Sequence, residues 1–449
     1  VPSKVVSFAS GRILEGVGTS DIPISSSNEK AKLFIRQGFA LIHDFWFNEA
    51  IRSFRDATKE DPACAVAWCG LYAALTQPWY YSSSFKAEAE FAIGRAVALS
   101  SSGSDIEQKL IVAMRLKSLS GDVRETDFEK AMMNLIKDHP SAKEPRLMLA
   151  GLRTQLCMHT NYLPNGDVRG DLEKVYALIQ PILKADPMNA GALHYHIHAM
   201  EPFHPERAVS SAEKIGKAAS RSSHMVHMAG HIFNRVGRYE DASRAFRRAR
   251  EIEEADAKEL SVTPYQVNWN YGHNRNFLGI NLAQDGKIED ALEAIGTGSW
   301  GEIEVFWCAG NWDKLLAKGT NASSTSLQNL FFQGMRAAEQ NDWFTARQRA
   351  NTIKERVAEK LKDKQPAKYS TDERINVTMA AELEGTVLAM EGRAEASIAE
   401  FEKSLASFDR IEYDEPVRYA RLPHESYGYA MLKLGRTDLA IRAFEHGLD

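Results

Sequence analysis

Histidine is the residue with which this chain is equipped for chemistry. Thirteen are present, and eight of them lie between His194 and His273. In HYHIHAME, His194, His198 and Glu201 stand at i, i+4 and i+7. On a helix that turns ~100° per residue, these three project within roughly 60° of one another. In HMVHMAGH, His224, His227 and His231 stand at i, i+3 and i+7 and share a similar arc. Two such triads facing one cavity offer five imidazoles and a carboxylate, enough for one saturated metal ion or two open ones. His273, in NYGHN, would add a ligand from a third helix. Packing so many imidazoles without a metal leaves donors and acceptors unpaired, or accumulates charge near pH ~6.5.

The spacing also excludes two familiar metal sites. No glutamate follows the first histidine of either pair, so this is not the HExxH zinc-protease arrangement. No cysteine accompanies the histidines, which disfavours a finger-like structural zinc site. Imidazoles with one carboxylate suit one or two ions of copper or iron, with zinc or manganese as the other options. Glu201 reads as a ligand or, if left free, as a general base, and Tyr271 as a donor to a bound oxygen species. Trp269 and Tyr265 are expected in the core, with an apolar wall for a substrate as the alternative. His196 points away from the triads and reads as structural. His43, His139, His159, His204, His424 and His446, taken singly, read as ordinary hydrogen-bonded histidines.

The elements that must position these residues show in a recurring pattern. A glycine or turn residue is followed by a small residue five later, a large apolar one nine later and a small or apolar one twelve later. Gly237, Ala242, Phe246 and Ala249 show it, as do Gly435, Ala440, Phe444 and Gly447. Looser copies start at Phe45 (Ala50, Phe54, Ala57), Gly286 (Ala291, Ile295), Asn341 (Ala346, Ala350, Ile353) and Gly392 (Ser397, Phe401, Ser404). The glycine turns the chain between antiparallel helices, the small residues let them approach, and the aromatic fills the seam. Pro62 and Pro187 end helices, and no stretch alternates as a strand. The expected fold is all-α, an α-solenoid of tetratricopeptide-like helical hairpins. Residues 1–28 read as irregular and packing along the solenoid; 29–449 read as a single superhelix, with the metal-site repeats at about 188–280. Residues 66–190 read as degenerate repeats, and 100–105, 159–171 and 318–326 as loops.

Composition narrows the partners. A net charge of -5 and a pI near 6.3 leave no basic excess for nucleic acid. No apolar run approaches the ~18 residues of a membrane span. Cys64, Cys69, Cys157 and Cys308 form no CxxC and read as reduced thiols in a cytoplasmic protein, the first two packed inside a repeat. The chain starts Val-Pro-Ser without a methionine, so trimming of a few residues is expected and a targeting segment would not be visible. The charged stretch RAFRRAREIEEADAKE reads as a solvated helix face.

The segments HYHIHAME from His194, HMVHMAGHI from His224 and YGHN from Tyr271 resemble those of a family of tetratricopeptide-repeat-like proteins in bacteria and fungi. The resemblance covers most of the chain. IRQGFALIHDFWFNEAIRSFRDATKEDPACAVAWCGLYAAL looks like the family's opening repeat, and YDEPVRYARLPHESYGYAMLKLGR like its closing segment. It implies site roles for His194, His198, Glu201, His224, His227, His231, Tyr271, His273 and Asn274, and proximity to the site for Tyr413, Glu415 and Glu425. One departure is visible: members often have proline and serine where this chain has Ala229 and Gly230, which is expected to alter the local helix. Some fungal members resemble biosynthetic-cluster proteins, which implies a small-molecule enzyme.

Three functions follow as expectations. The first is a metal-dependent enzyme on a small organic molecule, leaning to oxidative copper or iron chemistry. The second is a metal-dependent hydrolase at the same site. The third is an interaction scaffold that binds a protein partner through the solenoid groove and keeps a structural metal.

Overall fold

The computed structural model describes residues 11–117, 126–163, 167–267, 269–296, 301–319, 326–415, 419 and 421–447. Parts of the expected loops at 159–171 and 318–326, and part of the closing segment, lie outside the described residues. The fold is all-α and built of tetratricopeptide-like helical hairpins. Among the described residues the only extended pairing is an isolated bridge between Tyr162 and Val168. Contacts divide the chain into two compact units, residues 1–158 with 170–285, and residues 159–169 with 286–449. The sequence reading placed no boundary inside 29–449, because the repeat pattern continues through Gly286, Ala291 and Ile295 with no shift in composition.

In the first unit, Glu29–His43 pairs with Phe47–Glu60, and Ser223–Arg235 with Tyr239–Leu260. Ala190–Met200 and Asn270–Gln284 are the first helices on either side of Ser223–Arg235. Asn189 caps Ala190–Met200 by accepting from the Ala192 amide at 3.0 Å, which starts the helix just after Pro187. The described part of the N-terminal segment runs without helix along this unit. Leu14, Val17 and Ile22 are buried, and the Gly16 carbonyl accepts from Arg221 N at 2.8 Å. In the second unit, Leu327–Glu339 with Trp343–Leu361 and Thr371–Met390 with Ala394–Phe408 enclose a core that includes Phe331, Leu383 and Val387. The 100–105 segment is a short 3-10 turn at Ser100–Ser102 rather than an open loop.

The repeat pattern has a direct backbone counterpart. Every turn residue it picks out adopts a left-handed conformation: Phe45 (φ 55°), Gly237 (74°), Gly286 (75°), Asn341 (57°), Gly392 (75°) and Gly435 (70°). Glycine takes this conformation freely, whereas a residue with a Cβ does so at a cost of roughly 1–2 kcal/mol. Asparagine visits it more readily than other non-glycine residues because its short polar side chain bonds locally, so Phe45 is the exception among these six turns. Cys64, Cys69 and Cys157 are buried free thiols and Cys308 is exposed.

Ala229 and Gly230 do not break the helix Ser223–Arg235. A Cβ on Gly230 would stand 2.4 Å from the Phe246 ring, so glycine here lets the two helices of this hairpin close around that ring. Gly230→Ala is expected to cost about 1–3 kcal/mol through overpacking, read as a lower denaturation midpoint. Combined with Phe246→Leu it should cost less than the two single changes together; additive costs would dismiss the close-approach account.

Candidate metal centre

Three consecutive first helices bring the histidines together. Ala190–Met200 carries His194 and His198, Ser223–Arg235 carries His224, His227 and His231, and Asn270–Gln284 carries His273. The histidines fall into two groups whose ring nitrogens lie within 4.8 Å of one another, His194, His198 and His224, and His227, His231 and His273, and Glu201 lies within that distance of His198 as well. Five of the six are at most 1% exposed, and His273 is half-buried. The partition differs from the linear triads. Helix Ser223–Arg235 gives His224 to one group and His227 with His231 to the other, since one helical turn separates them.

What lies behind each ring decides which nitrogen faces inward. His194 Nδ1 is 2.6 Å from the His43 carbonyl, which only accepts, so Nδ1 carries the proton. His224 Nδ1 is 3.1 Å from Asn270 Oδ1, and Asn270 Nδ2 donates to Glu253 at 3.2 Å, which orients the amide. His227 Nδ1 donates to Asn274 Oδ1 at 2.8 Å, and Asn274 Nδ2 donates to the Phe246 carbonyl at 2.9 Å. His231 Nδ1 donates to Glu201 Oε1 at 2.7 Å. In a neutral imidazole with Nδ1 protonated, Nε2 holds the lone pair.

The lone pairs of His194 and His224 converge, their Nε2 atoms 3.2 Å apart, and His198 Nε2 lies 3.0 Å from His194 Nε2. His227 Nε2 and His231 Nε2 are 2.7 Å apart. Two imidazole nitrogens, each ~2.0–2.1 Å from a shared tetrahedral ion, stand about 3.3 Å apart. Converging lone pairs repel unless a cation lies between them, so the donor set fits a transition-metal ion at each group. Burial holds the imidazoles neutral, the form in which they ligate: it lowers His198 to about 4 and His224 to about 3, and pushes His194, His227 and His273 well below the usual value.

The other expected residues take these positions. Glu201 is buried behind His231 and orients it, rather than lying free as a base. The Tyr271 hydroxyl donates to Glu254 at 3.1 Å, and its ring meets Tyr265 edge-on, so it is directed to a carboxylate on the neighbouring helix and not to a histidine. Asn274 is the partner of His227. Trp269 and Tyr265 are not core residues: they are 41% and 53% exposed. Trp269 covers His224 and His273 at ring distances of 5.3 and 5.6 Å. Tyr413, Glu415 and Glu425 belong to the second unit, where the Tyr413 carbonyl accepts from His159 at 2.9 Å and Glu425 lies 3.5 Å from Arg421. His196 is structural, bonded to Ser211 at 2.8 Å and stacked on Tyr176.

Sequence reasoning missed three contributors. His43 holds His194 through its carbonyl, while its own ring is bonded to Tyr195 and Glu144, each at 2.8 Å. Asn270 repeats the role of Asn274 one turn earlier, a signal present as an i, i+4 asparagine pair. Phe45 packs on His194, His198 and His224, and its signal was a bulky residue at a turn position otherwise held by glycine or asparagine.

No family model matches the chain, and no curated protein matches it. Solved structures similar to it include the APC/C hetero-tetramer Cut9–Hcn1, at 15% identity over 93% of this chain and 73% of that one, with a TM-score of 0.31. The P58(IPK) TPR domain matches at 12% identity over 93% and 98%, with a TM-score of 0.26. The human IFIT1 dimer with PPP-AAAA matches at 14% identity over 86% and 96%, with a TM-score of 0.31. Likeness at this level does not extend to function. Among the described residues no helix is long and apolar enough to cross a membrane.

The lowered histidines make the metal-free protein acid-sensitive. Unfolded histidines take up protons below pH ~6.5 while the buried ones do not. Stability is therefore full above that pH and falls as the pH drops toward the folded-state values, by up to about 1.4 kcal/mol per pH unit for each such histidine. Denaturation midpoints of metal-free protein should drop steeply between pH 7.5 and 5. The drop should shrink in a His224→Gln variant; an unchanged pH slope in that variant would contradict the assignment.

Proposed function

We propose that the two histidine groups hold two transition-metal ions, and that the centre serves oxidative chemistry on a small organic molecule. The observation that carries this reading is that each group supplies three nitrogen ligands, the number that leaves an ion with a position open to water or substrate. The imidazoles are neutral, so an ion keeps its full charge in a buried site, and a cuprous ion brings half the charge of a divalent one. That supports copper, with iron next. Bound copper or iron would supply redox chemistry with dioxygen. The chain's own residues do the rest. His43, Asn270, Asn274 and Glu201 fix the rings and their tautomers. Trp269, partly exposed over His224 and His273, offers an apolar face against which a planar substrate can lie.

A second reading is favoured by the depth of burial: structural ions that stiffen a helical-repeat scaffold whose groove binds a protein partner. Zinc in place of copper would support that scaffold or a hydrolase with metal-bound hydroxide as nucleophile. Metal content by mass spectrometry on untagged protein separates these readings. Two equivalents of copper or iron, lost in a His198→Ala, His227→Ala variant, together with dioxygen uptake on adding reductant, are expected. Metal that is retained but inert to dioxygen would move the reading to the scaffold. No metal after reconstitution with each candidate ion would end it.

A further inference from the structure

Of the six turns in the repeat pattern, five place glycine or asparagine in the left-handed position and one places Phe45. The Phe45 side chain is fully buried, and it is spent on the histidines. Its ring meets His194 edge-on at 4.6 Å and stacks on His198 at 5.7 Å and on His224 at 5.5 Å. The same turn contributes two backbone acceptors: the His43 carbonyl takes the His194 proton at 2.6 Å, and the Phe45 carbonyl takes the Trp269 indole N–H at 3.2 Å. A residue kept in a disfavoured conformation persists where its surroundings over-determine it, and such residues cluster at functional sites.

The second group is enclosed differently. His231 stacks on Phe277 at 4.1 Å and His227 lies 5.0 Å from Phe246, both rings from helices close in sequence. Glu201 accepts from His231 and also brings a carboxylate oxygen within 4.8 Å of a ring nitrogen of His198, while a backbone carbonyl and an amide stand behind His194 and His224. An apolar shell controls the solvent access and dielectric of a metal site, and a low dielectric disfavours added charge.

Resting on the two-ion reading above, we infer that Phe45 is a positioning residue that clamps the His194–His198–His224 group from a repeat remote in sequence. It makes that position distinct from the other: a dry site for a soft, low-charge ion such as cuprous copper.

The test is metal titration of the full chain against a competing chelator, with cuprous ion and with cobalt(II), whose visible bands report coordination. The wild type should take up two equivalents of unequal affinity. Phe45→Gly keeps a residue suited to the turn and removes only the ring. It should weaken one cuprous equivalent about tenfold or more and leave the other unchanged, and in a His227→Ala background the weakened equivalent should be the one that remains. Phe45→Leu retains apolar volume, guards against a folding defect in the glycine variant, and should show the same selective loss. Phe401→Leu, at a fully buried phenylalanine of the second unit, should lower the melting temperature and leave both equivalents intact. Two equivalents unaffected by either Phe45 change, or weakened together, overturn the inference while the two-ion reading stands. A wild-type chain that binds neither ion overturns both.

Discussion

The buried imidazoles named above are held by what stands behind them. A carbonyl, two asparagine amides and a carboxylate accept from Nδ1 of His194, His224, His227 and His231. The two amides are themselves oriented by a second bond, to Glu253 and to the Phe246 carbonyl. This outer layer leaves the Nε2 lone pairs of His194 and His224, and of His227 and His231, pointing at each other in a dry interior. Burial lowers the basicity of the rings, and the outer layer sets the close Nε2 separations.

The hairpin frame makes the constraint affordable. Each repeat presents its first helix to the next, so histidines at helical spacing on Ala190–Met200 and Ser223–Arg235 meet side by side with no long-range chain crossing. Phe246 serves both levels at once: it packs against Gly230 to close its hairpin, and its backbone carbonyl orients Asn274 behind His227. Fold and site are built from the same residues here, so packing defects at this seam are expressed in the rings as well.

Much of this was legible in sequence. The six turn positions, the small residues and the seam aromatics came from a single period, because each hairpin must satisfy the same steric requirement. His194, His198, His224, His227 and His231 came from helical spacing, because side-chain direction on a helix follows from residue number alone, and His273 from the NYGHN segment on a third helix. The misreadings have physical causes too. Glu201 and Tyr271 share a helix or a segment with the histidines, and spacing cannot tell which side chain each of them meets. Trp269 and Tyr265 were assigned to the core on hydrophobicity, which does not register that the chain there borders solvent.

What the sequence determined by itself is local: helices, turns, and which histidines share a face, all consequences of backbone geometry over a few residues. What only the tertiary structure decided is the grouping. Helix Ser223–Arg235 divides its histidines between two groups because its neighbours approach from opposite sides. Phe45 and His43 reach the site because the first hairpin packs near Ala190–Met200. Those pairings span some 150 positions of chain, a separation at which periodicity carries no information and only packing brings the residues together.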